Sequence, residues 1–146
     1  MSELSVAQLR ENLAAVRERI QSAERAAGRA PGSVQLLPVT KFHDVSVIRA
    51  LAESGVTLVG ENREQEARAK AEALHTDGVD CGIAMIGQIQ SKKANAVARW
   101  ASEVHSLDSV KLARGLDRGM ALALERGDRH VDGLPCLLQV LSLIHI

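Results

Sequence analysis

The chain opens on a single long apolar stripe. Val6, Leu9, Leu13, Val16, Ile20 and Ala23 recur at alternating steps of three and four, the spacing that gathers side chains on one face of an α-helix. Ser5 stands just ahead of the stripe with Gln8 three positions on, which predicts a capping box, and Gly28 is a natural stop. A helix over 6–27 is therefore expected, followed by a loop at Arg29-Ala30-Pro31-Gly32.

Beyond that loop, short apolar runs alternate with helical stripes. Residues 34–39 read as a buried strand that ends at Thr40-Lys41, and 44–54 as a helix with Val47, Ile48 and Leu51 on one face. The same reading gives strands at 56–59, 83–86, 104–106 and 136–140. Helices are expected at 64–74, 91–100 and 109–126, the last ended by Gly127. Such alternation predicts an α/β fold, a parallel sheet covered by helices. An open doubly wound sheet and a barrel both fit this order. Neither GxGxxG nor GxxxxGK[ST] follows the first strand, so the usual phosphate loops of open nucleotide-binding sheets are missing and the barrel is favoured.

Composition removes several function classes. Hydrophobic residues make up 46%, too many for a disordered chain. Lys plus Arg and Asp plus Glu are 18 each, and a net charge of zero argues against a nucleic-acid partner. One Trp, one Phe and no Tyr leave no stacking platform for bases. No apolar run reaches the roughly 18 residues of a membrane span. Met1-Ser2-Glu3-Leu4 does not read as a signal peptide, so a cytoplasmic protein without a membrane partner is expected. Cys81 and Cys136 form no CxxC and are expected to be reduced thiols packed as small apolar side chains. His43, His75, His105, His130 and His145 show no metal-ligand spacing.

In parallel α/β folds, chemistry collects at the C-terminal ends of the strands. Those ends carry Thr40 and Lys41, Glu61 and Asn62, Gly87, Gln88 and Gln90, His105, Ser106 and Asp108, and Gln139. Lys41 is the sharpest of them. It follows an apolar strand directly, where a low dielectric disfavours the ammonium form, and a neutral amine can attack an aldehyde and form an imine. The plainer use of the position is a lysine that snorkels to solvent at the rim. Asn62 is suited to a left-handed turn or to a ligand hydrogen bond, the turn being the commoner use. Glu61 reads as a general base or as a rim carboxylate paired with an Arg. His105 reads as an acid–base group or a structural histidine. Ser91 reads as an N-cap ahead of the solvated Lys92-Lys93 pair, with phosphate binding at a helix N-terminus as the alternative.

Five stretches together resemble one family. They are Leu37-Pro38-Val39-Thr40-Lys41, Val59-Gly60-Glu61-Asn62 followed by Gln65-Glu66-Ala67, Ile86-Gly87-Gln88-Ile89-Gln90-Ser91-Lys92-Lys93, Val104-His105-Ser106-Leu107-Asp108, and Leu138-Gln139-Val140. They resemble the cofactor-lysine strand, the GEN…QEA segment, the IGxLQxNK and VHSID motifs and the QVN strand of the pyridoxal-phosphate homeostasis proteins, also called the YggS or PROSC family. The resemblance covers residues 6 to about 140. It implies the N-terminal part of a TIM (β/α)8 barrel of the alanine racemase N-terminal-domain type, with about five of the eight strands present. It implies pyridoxal 5′-phosphate held as a Schiff base on Lys41, with Asn62, Ile86, Gly87 and Ser106 lining the pocket. It also implies a monomeric cofactor carrier, without established turnover, that serves apo pyridoxal-phosphate enzymes.

Departures from the family pattern accompany it. Arg63 stands where an aromatic is usual, Ala84-Met85 where His-Phe is usual, Lys92 for the Asn of LQxNK, and Leu141 for the Asn after Gln139-Val140. Residues 1–140 are thus expected to form a partial cofactor-binding barrel domain. Residues 141–146 match one reading frame of a transposon-end adapter and are expected to be a non-native tail on a truncated chain. An unclosed barrel would leave its first and fifth strands as edges, aggregate readily and bind the cofactor poorly. The competing readings are a racemase-like enzyme, disfavoured because a chain without Tyr lacks the usual opposing acid–base residue, and a non-functional fragment.

Overall fold

The computed structural model describes residues 5–140, so the tail expected at 141–146 lies outside the described residues. Helix α1 spans Val6–Ala26. The Ser5 hydroxyl accepts the Gln8 N–H at 3.2 Å, while the Gln8 amide turns away to Asn12 Oδ1, so half of the expected capping box is formed. The stripe ends differently from the expectation. Leu13 and Glu24 are the buried residues of α1, and Ala23 is exposed. Glu24 is only 2% exposed, and its carboxylate accepts the N–H groups of Val34 at 2.7 Å and Gly32 at 3.0 Å. It thereby ties the helix to the loop that leads into the sheet.

The remaining elements are α2 (Val45–Glu53), β1 (Leu58–Glu61), α3 (Glu64–Thr76), β2 (Gly82–Met85), a 3₁₀ turn at Ser91–Lys93, α4 (Ala94–Trp100), β3 (Glu103–Leu107), α5 (Val110–Glu125) and β4 (Cys136–Leu138). Asp44 caps α2 through the Ser46 N–H at 2.9 Å, and Ser109 caps α5 through the Leu112 N–H at 3.1 Å. Ser91 opens the 3₁₀ turn instead of capping a helix, because α4 starts three residues later.

Two strand expectations are corrected. Residues 34–39 form no strand; they contribute one parallel bridge, Val39 opposite Gly60. Pro38 has no N–H to donate, so the segment is held by Gly60 N–H to Pro38 O at 2.8 Å and Thr40 N–H to Gly60 O at 3.0 Å. The strand expected at 56–59 starts two residues later. Val56 is consumed in ending α2: Gly55 takes φ +82°, and the Val56 N–H reaches back to Leu51 O at 3.1 Å, the Schellman closure.

The sheet runs β1-β2-β3-β4, every pair parallel, with Val59 opposite Ile83, Met85 opposite Val104 and Val104 opposite Cys136. Val59, Ile83, Met85 and Val104 face one way and pack with Ile48, Leu51, Ala67, Leu74, Val97, Leu112 and Leu116 from the helices. Strands in sequential order with helices on one face define a singly wound sheet. A doubly wound sheet would reverse its order and carry helices on both faces. Helices α4 and α5 meet at backbone distance, since a Cβ on Gly119 would lie 2.8 Å from Ala98 Cβ and from Asn95 Cα. Both margins of the sheet stay open: Val39 is 46% exposed and Leu138 is 74% exposed. Cys136 lies on that margin and is exposed, in contrast to the packed thiol expected; Cys81 is buried.

Backbone N–H groups of Val34 and Gly32 hold the Glu24 carboxyl below the usual carboxylate range. A carboxyl with a depressed folded pKa contributes stability that is complete above the unfolded value, about 4.3, and is lost as pH falls through the folded value. Glu24→Gln should therefore melt below the parent chain at pH 7. The gap should close as pH drops below 4.3, and a gap of constant size across that range in thermal melts would contradict this assignment.

Candidate functional site

The C-terminal ends of the strands form a rim, and its first part is built around Thr40. The Thr40 N–H bonds Gly60 O, its hydroxyl donates to Glu61 Oε1 at 2.6 Å, and its carbonyl accepts from Lys70 Nζ at 3.0 Å and from the His43 N–H at 3.1 Å. Lys70 Nζ also meets Glu61 Oε1 at 2.7 Å. Glu61 is fully buried, so it is neither a rim carboxylate nor an Arg partner; it sits on the helix side of the sheet, paired with a lysine of α3. Glu61 Oε2 has no hydrogen-bond partner among the described residues.

Lys41 follows this locked residue. It occupies a turn closed by the His43 N–H to Thr40 O bond, and its side chain is exposed. The desolvation expected from an apolar strand end is not supplied here, because 34–39 is a single bridge at an open margin. No hydrogen bond or ion pair engages the Lys41 ammonium among the described residues; it stands 5.8 Å from the Phe42 ring centroid. Phe42 is the one non-glycine residue with positive φ among the described residues, at +65°.

Asn62 and Gly87 meet directly. A Cβ on Gly87 would fall 2.0 Å from Asn62 O, so only glycine permits this approach. Asn62 does not take the left-handed conformation expected of it. Ile86 N–H donates to Glu61 O at 2.9 Å, which joins the second rim loop to the first, and the Ile86 side chain borders Gly60 on the face away from the helices. Ser106 is 2% exposed and donates to Gly87 O at 2.6 Å, so it braces the rim from behind. Lys41, Asn62, Ile86 and Gly87 are thus carried on adjoining rim segments, with Ser106 as support. His105 is half-buried, with Nε2 2.7 Å from Glu103 Oε2. Lys93 pairs with Glu64 at 3.7 Å.

Sequence reasoning missed Lys70. The available signal was a lysine set within the stripe Ala67–Ala71–Leu74 of α3, where an apolar residue would pack. Glu24 carried the same kind of signal on α1. The turn at Phe42 carried none, because a phenylalanine does not advertise positive φ.

The class defined by this geometry is a singly wound parallel α/β protein that presents an unpartnered lysine at the strand-end rim. Comparison with known proteins makes this specific. The chain is 61% identical over 122 residues to the pyridoxal phosphate homeostasis protein of Corynebacterium glutamicum, a match covering 84% of this chain and 53% of that protein. It is 44% identical over 130 residues to the protein of the same name from Mycobacterium tuberculosis strain H37Rv, covering 80% and 50%. Among solved structures, PipY of Synechococcus elongatus PCC7942 with PLP bound matches at 38% identity and a TM-score of 0.65, covering 82% of this chain and 50% of that one. An unknown protein from Bifidobacterium adolescentis matches at 30% identity and a TM-score of 0.73, covering 93% and 62%. No protein-family model matches the chain. The chain belongs to the pyridoxal phosphate homeostasis protein family. It spans about half the length of the curated relatives it matches.

The buried pair beneath the rim has a measurable consequence. Lys70→Met strands the Glu61 carboxylate with Thr40 alone and should cost about 3 kcal/mol in urea unfolding. Adding Glu61→Gln removes the uncompensated charge and should restore much of that loss. A double variant as unstable as the sum of both single changes would show that the two side chains are not coupled.

Proposed function

We propose that this chain is a pyridoxal 5′-phosphate-binding protein of intracellular cofactor homeostasis, with Lys41 as the attachment point. The observation that carries this is the pairing of an immobilised backbone with a free amine. Thr40 is tied by four hydrogen bonds, while the Lys41 ammonium next to it has no partner among the described residues. PipY, a 38% identical relative, is described with PLP bound. The residues present fit such a group: an accessible primary amine suits an aldehyde, and the rim beside it offers Asn62 and the backbone at Gly87. When bound, the cofactor supplies an electron-withdrawing ring and an aldehyde carbon.

The chain's own residues have distinct tasks in this reading. Lys41 Nζ joins the aldehyde carbon with loss of water. Thr40, Glu61 and Lys70 fix where that amine starts. Asn62, Ile86 and Gly87 border the ligand, and Ser106 holds the Gly87 carbonyl in place. The singly wound sheet is a sector of an eight-stranded barrel, a reading supported by its sequential parallel order with helices on one face. The protein acts as a monomeric carrier in the cytoplasm. Its partners are the cofactor and apo enzymes that require it, with neither nucleic acid nor membrane among them; no helix among the described residues is long and apolar enough to cross a membrane.

Incubation with pyridoxal 5′-phosphate should produce visible-region absorbance, and borohydride reduction followed by peptide mass mapping should place the label on Lys41. Lys41→Ala should lose both signals while keeping its circular dichroism. The same label on another lysine, in equal yield in the parent and in Lys41→Ala, would overturn the assignment.

A further inference from the structure

The register of the sheet carries one more residue to the level of Lys41. Val39 stands opposite Gly60, Gly60 opposite Ala84, and Ala84 opposite Glu103. Two positions further along each segment the same row reads Lys41, Asn62, Ile86 and His105. Alternation turns this row away from the helices, the side on which Ile86 borders Gly60. Neighbouring bonds hold the row level, since Ile86 N–H donates to Glu61 O and the Ser106 hydroxyl to Gly87 O. Three inter-strand steps of about 4.8 Å separate the Lys41 and His105 backbones by about 14 Å along the sheet, and by less across its curve. A lysine and a histidine that reach toward each other close such a gap around a small aromatic aldehyde.

His105 is also prepared for proton transfer. Its Nε2 lies 2.7 Å from Glu103 Oε2. With a carboxylate as acceptor, Nε2 carries the proton of the neutral ring and Nδ1 is left as the basic nitrogen. Nδ1 makes no hydrogen bond among the described residues. Glu103 and His105 line a cavity of about 970 Å³ together with Leu37 and Leu58. Leu37 in turn borders Gly60 beside Ile86, so the imidazole faces open space beneath the rim.

We propose that His105 is the acid–base residue of capture at Lys41, with Glu103 as its positioning residue. The inference rests on Lys41 being the attachment point. Lys41 Nζ bonds the aldehyde carbon, and the carbon–oxygen bond breaks. His105 Nδ1 takes a proton from the nitrogen and hands it to the departing oxygen. The two hydrogens of the amine leave with that oxygen as water. Release runs the same steps backwards, so His105 speeds both directions and leaves the equilibrium unchanged.

The test is timed capture by the full chain in a buffer free of amines and imidazole. Pyridoxal 5′-phosphate is added, samples are reduced with borohydride at intervals, and the label on the Lys41 peptide is followed to its plateau. His105→Gln should reach the parent's plateau about ten-fold more slowly, short of the usual factor of about 10²–10⁴ because the ring is half-buried in an open site. Added imidazole should restore much of the rate in His105→Gln. Glu103→Gln, which keeps the imidazole, should slow capture by a smaller factor. A lowered plateau or an earlier melt by circular dichroism, with no response to imidazole, would make His105 a structural or binding contact and overturn the acid–base role. An unchanged rate in His105→Gln would overturn it too, while leaving Lys41 as the attachment point. Absence of label on Lys41 in the parent chain would overturn both.

Discussion

Everything at the rim depends on a buried carboxylate that two segments share. Glu61 Oε1 takes a proton donor from Thr40 and another from Lys70, so one oxygen links the margin of the sheet, β1 and α3. Burying a carboxylate and an ammonium costs several kcal/mol per ion, and attraction repays this only where the geometry is good and further hydrogen bonds are made. Lys70 meets that condition by also bonding Thr40 O. The arrangement adds little net stability. What it adds is placement: an apolar triad of similar volume would pack as well, yet would leave the residue before Lys41 without two of its four bonds. A bridge of a single residue pair needs such an anchor, because residues 34–39 have no ladder of their own.

Glycine and serine extend the same logic to the next strands. Gly87 rests on the Asn62 carbonyl, and Ser106 holds Gly87 O, so the order of the rim is passed from β1 to β3 by contacts that tolerate little change. Below the rim the winding is set by packing. Val59, Ile83, Met85 and Val104 commit one face of the sheet to the helices. On the opposite face, away from those helices, Leu37 and Ile86 both border Gly60. A site assembled at the ends of such strands is carried by elements that cannot shift independently.

The fold class was legible in the sequence because hydrophobic periodicity is a property of burial, and burial decided these elements. Helices α1, α2 and α3 match the apolar stripes in extent, although of the α1 stripe only Leu13 is buried, and the parallel order follows from strand–helix alternation. What stayed hidden depends on hydrogen bonds that periodicity does not record. Residues 34–39 are apolar enough for a strand but contain Pro38, and the only ladder they make is at Val39. Val56 looks like strand and serves as a helix terminator. Of the proposed site residues, Lys41, Asn62 and Gly87 follow apolar runs and Ile86 entered through the family resemblance; the structure carries all four on rim segments. Ser106 shares that pattern yet points to the buried side, because alternation along β3 gives Val104 and Ser106 one face and His105 the other. Period two assigns the face only once the register is known.

The contrast between a locked Thr40 and a free Lys41 bears on what kind of protein this is. An enzyme holds its reacting group from several sides, since a misplacement of about 1 Å can cost a hundred-fold in rate. Here the backbone is held and, among the described residues, the amine is not: the Lys41 side chain is exposed, stands on a turn, and lies 5.8 Å from the centroid of an exposed ring. Such an amine meets an aldehyde readily and also leaves the resulting link open to water. On the carrier reading both properties are required, because a cofactor must be taken up and then given away. In the proposed carrier the fixed backbone would confine capture to one place, and the exposed arm would keep that capture reversible.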